Sequence, residues 1–231
     1  MSLKRVNHAE NWHFFIKSVE FYYMEVYITK LNESEARPME INLESLMAGE
    51  AQPPSYKDYQ YYRCLKDHVI LVNDDITDNL LELATLPLMQ MDEDKNVDHI
   101  KILLNTYGGQ IYAGMSFVSA LEAAKTPITV QIMGVAASMG IYIAMAKSDY
   151  ITTVCQPYSV GLIHAGTYFT DGDRNAAKDN WEFNEKYEEK LRQFILDRTN
   201  ITEEKYKDIE RHEYWIDAQQ MLEYGIVDKI I

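Results

Sequence analysis

The chain has 231 residues, which suits one domain with an extension or two small domains. Hydrophobic residues make up 47% and charged residues 25%, ordinary globular values that exclude a wholly unfolded chain. With 22 Lys plus Arg against 36 Asp plus Glu, the net charge of −14 excludes nucleic-acid or anionic-membrane binding by bulk charge.

Residues 1–66 read as an N-terminal extension of unknown role. No apolar run follows Met1 to Arg5, so no signal peptide is expected. An aromatic opening around Trp12, Phe15 and Tyr22 gives way to a polar stretch and Pro38, and Pro53-Pro54 marks a second loop. From residue 67 the pattern alternates between strand and helix. Strands are expected at 68–72, 100–104, 128–133, 150–154 and 160–163; helices at 76–91, 112–124, 138–146 and 174–199. Such alternation predicts an α/β fold of stacked βαβ units around a largely parallel sheet. Residues 126–146 carry no charge over a length that could span a bilayer. Pro127, Gln131, Gly134 and Gly140 interrupt the stretch, so it reads as a buried strand entering a buried helix, with no membrane association. Cys64 and Cys155 are too few for a disulfide framework, and a reducing, cytoplasmic setting is expected.

Two glycine-marked turns carry the chemistry. The first is Gly108-Gly109, between a strand and a helix, where glycine lets the backbone approach a ligand and leaves N–H groups at a helix start. Its spacing is neither a dinucleotide fingerprint nor a phosphate loop, and no cofactor is expected. The second runs Gly134-Val135-Ala136-Ala137-Ser138-Met139-Gly140. A serine at a helix start is commonly an N-cap. To serve as a nucleophile, Ser138 needs a base and N–H donors for an oxyanion. The Met139 N–H adjoins it, and the Gly109 N–H lies on a turn of the same kind. Both turns fall at the carboxyl edge of a parallel sheet, where sites gather. Of six histidines, His164 alone ends a strand within the alternating region. No His-x-x-x-His or Cys-x-x-Cys is present, so no metal site is expected.

The blocks Gly108-Gly109…Ala113-Gly114-Met115-Ser116, Gly134-x-Ala136-Ala137-Ser138-Met139-Gly140, Pro157-x-Ser159…Ile163-His164 and Glu223-Tyr224-Gly225-Ile226-Val227-Asp228 stand in fixed order. In this the chain resembles the proteolytic subunit of the Clp protease family over about residues 67–231. The resemblance implies a fold of the type shared with crotonases, and a serine endopeptidase that cleaves unfolded polypeptides inside stacked heptameric rings. It assigns Ser138 as nucleophile, His164 as general base, and the Gly109 and Met139 N–H groups as the oxyanion hole. The family's aspartate falls on Glu213; Asp171, Asp173 and Asp217 are other carboxylates in reach of the role.

Some positions depart from the family. Tyr107 stands where the family has proline before the glycines, and Ala165-Gly166 follows the histidine in place of Gln-Pro. The family docks an AAA+ unfoldase ATPase through an aromatic pocket; the matching Lys101, Leu103 and Ala123 supply no ring, which argues against a standard ATPase partner. The helix at 174–199 matches the family's handle between rings, and its apolar residues (Trp181, Phe183, Tyr187, Phe194, Leu196) spread wider than one buried face needs. Two other readings compete. One is a crotonase-fold enzyme acting on acyl-CoA thioesters, which would need acidic groups at the oxyanion hole. The other is an inactive structural subunit of a mixed Clp ring, which sits poorly with the presence of both Ser138 and His164.

Overall fold

The computed structural model describes residues 56–166 and 173–231. The aromatic opening, the early loop signals and Asp171 lie outside the described residues. The chain divides into two units after Asp67. In the first, helix α1 spans Tyr56–Lys66, with Arg63 and Lys66 placed in the last turn, where the helix dipole favours cations. The Asp67 N–H closes it by donating to the carbonyls of Arg63 and Cys64.

The second unit is built on parallel strands rich in Ile, Leu and Val, as strands covered by crossover helices should be. Strands β1 (Val69–Val72), β2 (Ile100–Thr106), β3 (Ile128–Ala137) and β4 (Ile151–Cys155) lie side by side in that order, all parallel. Between β1 and β2 the chain makes a π-helical turn at Leu81–Thr85 and runs into α2 (Leu86–Glu93). The expected helix at 76–91 therefore starts late. Pro87 stands in the first turn of α2, directly after the π-helical turn, and the chain stays helical through it. Helix α3 (Ile111–Ala123) joins β2 to β3, and α4 (Met139–Ala144) follows β3 directly. Alternation along the strands sends Ile70, Val72, Ile102, Leu104, Val130 and Ile132 into the core, where they are buried. Helix α3 packs on α4 and on the π-helical turn, and α4 on β2 and β3.

One irregularity in β3 determines where the site forms. Leu104 pairs with Ile132, but Thr106 pairs with Ala136, so β3 carries extra residues in a bulge. The Asn105 side-chain oxygen accepts from the Val135 N–H at 3.1 Å and holds that bulge in place. Before it, β3 pairs with β4; after it, Val135–Ala137 pairs with β5 (Val160–Ile163). The strand expected to end at 133 thus continues through Gly134 and changes partners. Strand β5 also pairs antiparallel with β6 (Tyr214–Asp217), which the sequence pattern did not announce.

Helix α5 (Arg174–Arg198) begins at Asp173, whose carboxylate accepts from the Asn175 and Ala176 N–H groups. Its last turns bury Leu191, Phe194 and Ile195. There Arg198 pairs with Glu122 of α3 at 2.9 Å and lies over the Phe194 ring. Its first half is largely solvent-facing, with Trp181 58% and Phe183 53% exposed. Helices α6 (Glu203–Ile209) and α7 (Ala218–Glu223) and the short strand β7 (Lys229–Ile230), paired with β4, complete the unit. Among the described residues no helix is long and apolar enough to cross a membrane; the uncharged run at 126–146 is β3 entering α4.

Candidate active site

The turn after β2 demands glycine twice. Gly108 has φ 103° and Gly109 φ 145°, both outside the range of ordinary L residues. A Cβ on Gly109 would fall 2.2 Å from the Ile76 carbonyl oxygen. Ile76 runs parallel to the turn, its N–H donating to the Gly108 carbonyl at 2.8 Å and its carbonyl accepting from the Gln110 N–H at 2.7 Å. Those bonds flank the Gly109 N–H, which has no acceptor among the described residues.

Ser138 occupies the step from β3 to α4 at φ 53° and ψ −122°, a strained conformation for a residue with a side chain. Its N–H donates to the Leu162 carbonyl at 3.0 Å, which ties the elbow to β5. The hydroxyl caps nothing in α4. It lies 2.8 Å from His164 Nε2, within hydrogen-bond reach. The strand fork explains the meeting: once β3 has moved to β5, the residues following Ala137 and Ile163 leave the same sheet edge together.

The two glycine-marked turns also touch. A Cβ on Gly108 would lie 2.7 Å from Ser138 Cβ and 2.9 Å from Met139 N. Met139 N–H, at the start of α4, has no acceptor among the described residues. The Met139 side chain is buried against Gly114 of α3, where an added Cβ would come within 2.2 Å of its Cγ. The turn carrying Gly109 and the start of α4 thus meet beside one serine whose hydroxyl meets an imidazole.

Among the described residues no carboxylate bonds the His164 ring. Asp173 and Asp217 are engaged as helix N-caps, Asp217 in a capping box with Gln220. The N–H groups of Ala176 and Asn175 hold the Asp173 carboxyl below its ordinary range. Glu213 is exposed and immediately precedes β6. His164 follows Ile163 and Glu213 precedes Tyr214, the last pair of the β5–β6 ladder. Thr106 and Asp74 were not singled out in the sequence, yet the Thr106 hydroxyl donates to the Asp74 carbonyl at 2.7 Å and accepts from the Gly108 N–H at 3.0 Å. No sequence signal separates that hydroxyl from any strand threonine. Lys101 and Leu103 are half-buried on β2, and Ala123 is exposed at the end of α3. Cys155 is buried and free, and burial pushes its thiol up, away from reactivity. Among the described residues no three His, Cys, Asp or Glu side chains group as metal ligands.

The Clp protease family model matches residues 53–231. The ATP-dependent Clp protease proteolytic subunit of Streptococcus uberis is 31% identical over 182 residues, covering 74% of this chain and 88% of that protein. Its counterpart in Lactococcus lactis subsp. cremoris is 31% identical over 182 residues, with coverage of 74% and 86%. That of Streptococcus thermophilus is 32% identical over 182 residues, with coverage of 74% and 88%. The chain belongs to the Clp protease family. Membership makes it a peptidase, and its parallel sheet with flanking helices is consistent with the Clp proteolytic-subunit fold. The match starts at residue 53, upstream of residue 67, and so takes in α1 of this Clp-family chain. Neither the family match nor the relatives support the acyl-CoA reading or the inactive-subunit reading.

Proposed function

We propose that the chain is a serine endopeptidase that hydrolyses unfolded polypeptides within a closed oligomeric chamber. The observation that carries this reading is the 2.8 Å approach of Ser138 Oγ to His164 Nε2, by a hydroxyl that has given up the N-cap bond. His164 Nε2 takes the Ser138 proton as Oγ attacks the scissile carbonyl carbon. The carbonyl oxygen becomes an oxyanion, which the Gly109 and Met139 N–H groups receive. The C–N bond breaks, and the leaving amine takes the proton from His164. Water then enters, gives its proton to His164 and attacks the acyl carbon. Ser138 regains its proton as the C–O bond breaks. In this reading Glu213, just before the last pair of the β5–β6 ladder that His164 follows, orients the imidazole and stabilises its charged form.

The relatives are named as subunits of an ATP-dependent protease, so an AAA+ unfoldase is the class of partner this reading carries. Lys101, Leu103 and Ala123 give any such partner a docking surface without aromatic rings. Stacked heptameric rings in a cytoplasmic setting complete the proposal, with α5 between rings; its exposed Trp181 and Phe183 support that placement. The test is hydrolysis of an unstructured fluorogenic peptide by the wild type and by Ser138→Ala. The reading requires turnover by the first and background rates from the second. Equal rates in a Ser138→Ala assembly of wild-type mass contradict it.

A further inference from the structure

Resting on the serine-peptidase reading of Ser138, we propose that Thr106 is a positioning residue that sets the spacing between the two oxyanion donors. Thr106 ends β2 and is 2% exposed. Its hydroxyl is used in both directions, giving its proton to the Asp74 carbonyl at 2.7 Å and taking the Gly108 N–H at 3.0 Å. Ile76, close after Asp74, holds the Gly108 carbonyl and the Gln110 N–H. Together these bonds engage the N–H groups on either side of Gly109 and leave the Gly109 N–H open.

The methyl of the same side chain faces the other turn. A Cβ on Gly140 would lie 2.8 Å from Thr106 Cγ2, so the methyl rests on the first turn of α4, one residue after Met139. Hydroxyl and methyl thus fix the Gly109 turn and the Met139 turn against each other. Thr106 touches no reacting atom. It acts through the two N–H groups, and its loss affects the transition state, where the oxyanion exists, more than substrate binding.

Valine keeps the shape of threonine without the hydroxyl; serine keeps the hydroxyl without the methyl. The experiment compares the full-length wild type, Thr106→Val and Thr106→Ser. It reads kcat and KM on an unstructured fluorogenic peptide, affinity for a peptide boronate whose tetrahedral adduct mimics the oxyanion, and mass by light scattering. For Thr106→Val the expected kcat loss is about 10- to 100-fold, matched by boronate affinity, with KM within about twofold and mass unchanged. Thr106→Ser is expected to lose only about threefold. A Thr106→Val chain with wild-type kcat, or a Thr106→Ser chain that loses as much as Thr106→Val, overturns the assignment. Should Thr106→Val fail to assemble, Thr106→Ala takes its place: a kcat loss about threefold or more beyond that of Thr106→Ser upholds the assignment, and a smaller difference overturns it. Hydrolysis no faster in the wild type than in Ser138→Ala overturns the peptidase reading and this assignment together. An active wild type matched by Thr106→Val overturns this assignment alone.

Discussion

Ser138 stands where serine usually caps a helix, and its hydroxyl instead meets the His164 ring at 2.8 Å. In the proposed mechanism His164 is the proton acceptor, so His164→Asn should lower peptide hydrolysis by about four orders of magnitude or more at unchanged assembly mass. Retention of a tenth of the wild-type rate would count against His164 as base. In the proposed mechanism Glu213 acts on the imidazole and not on the substrate, so Glu213→Gln should cost less than His164→Asn in the same assay. A Glu213→Gln chain at the wild-type rate would remove Glu213 from the mechanism. Ser138 and His164 stood out as a set because each ends an apolar run beside small residues at a predicted sheet edge, while their roles were assigned by resemblance. Glu213 was reached by resemblance alone, since the four residues of β6, which it precedes, carry no pattern strong enough to reveal that strand. Thr106 was illegible because a side chain bonded on both sides to backbone leaves no trace in residue type.

The strands and helices of the second unit were mostly visible as alternating apolar runs, and the misses have local causes. β3 was expected to stop at Met133, but the bulge stitched by Asn105 lets it run on to Ala137. A change of pairing partner within one strand has no signature in its own residues. The turn after β2 yields a direct test: at φ 103°, a Cβ on Gly108 would sit 2.6 Å from the Ala137 carbonyl oxygen. Gly108→Ala should therefore lower the melting temperature and activity together, whereas Ser138→Ala should lower activity alone; a fully active Gly108→Ala chain would contradict the close packing of the two turns. A second test concerns the α3–β3 connection. There the Asp92 carboxylate accepts from the Lys125 N–H at 2.8 Å and the Thr126 N–H at 2.7 Å. Partial burial works against its charge, but the N–H groups of Thr126 and Lys125 prevail and hold the carboxyl below its ordinary range. A depressed carboxyl stabilises the fold above its unfolded pKa, and that contribution is lost as pH falls through the folded value. Asp92→Ala should thus cost about 1 kcal/mol at neutral pH, with the gap to wild type closing below about pH 4. Urea melts of both chains across that range check it; a gap independent of pH would contradict the charge-based account.

At the scale of the whole molecule, a peptidase for unfolded chains must keep its site away from folded proteins, and closed rings do so with one repeated interface. The first half of α5 carries Trp181 and Phe183 on its surface, and the Tyr187 ring packs edge-on against Tyr112 at the start of α3, with ring centroids 5.4 Å apart. Phe183→Glu combined with Trp181→Glu should split stacked rings or lower activity, as light scattering and peptide turnover would show; an intact double ring at full rate would take α5 out of the interface. Ring number and partner are not legible in one chain's periodicity, because they depend on surfaces that meet only in the assembly. In the proposed function Ser138 is an activated nucleophile in a closed assembly. Native mass spectrometry of the wild type after fluorophosphonate treatment tests it in one measurement. The predicted result is a large ring assembly carrying a single label per subunit, located on Ser138. An unlabelled assembly, a label on another residue, or a labelled monomer would contradict it.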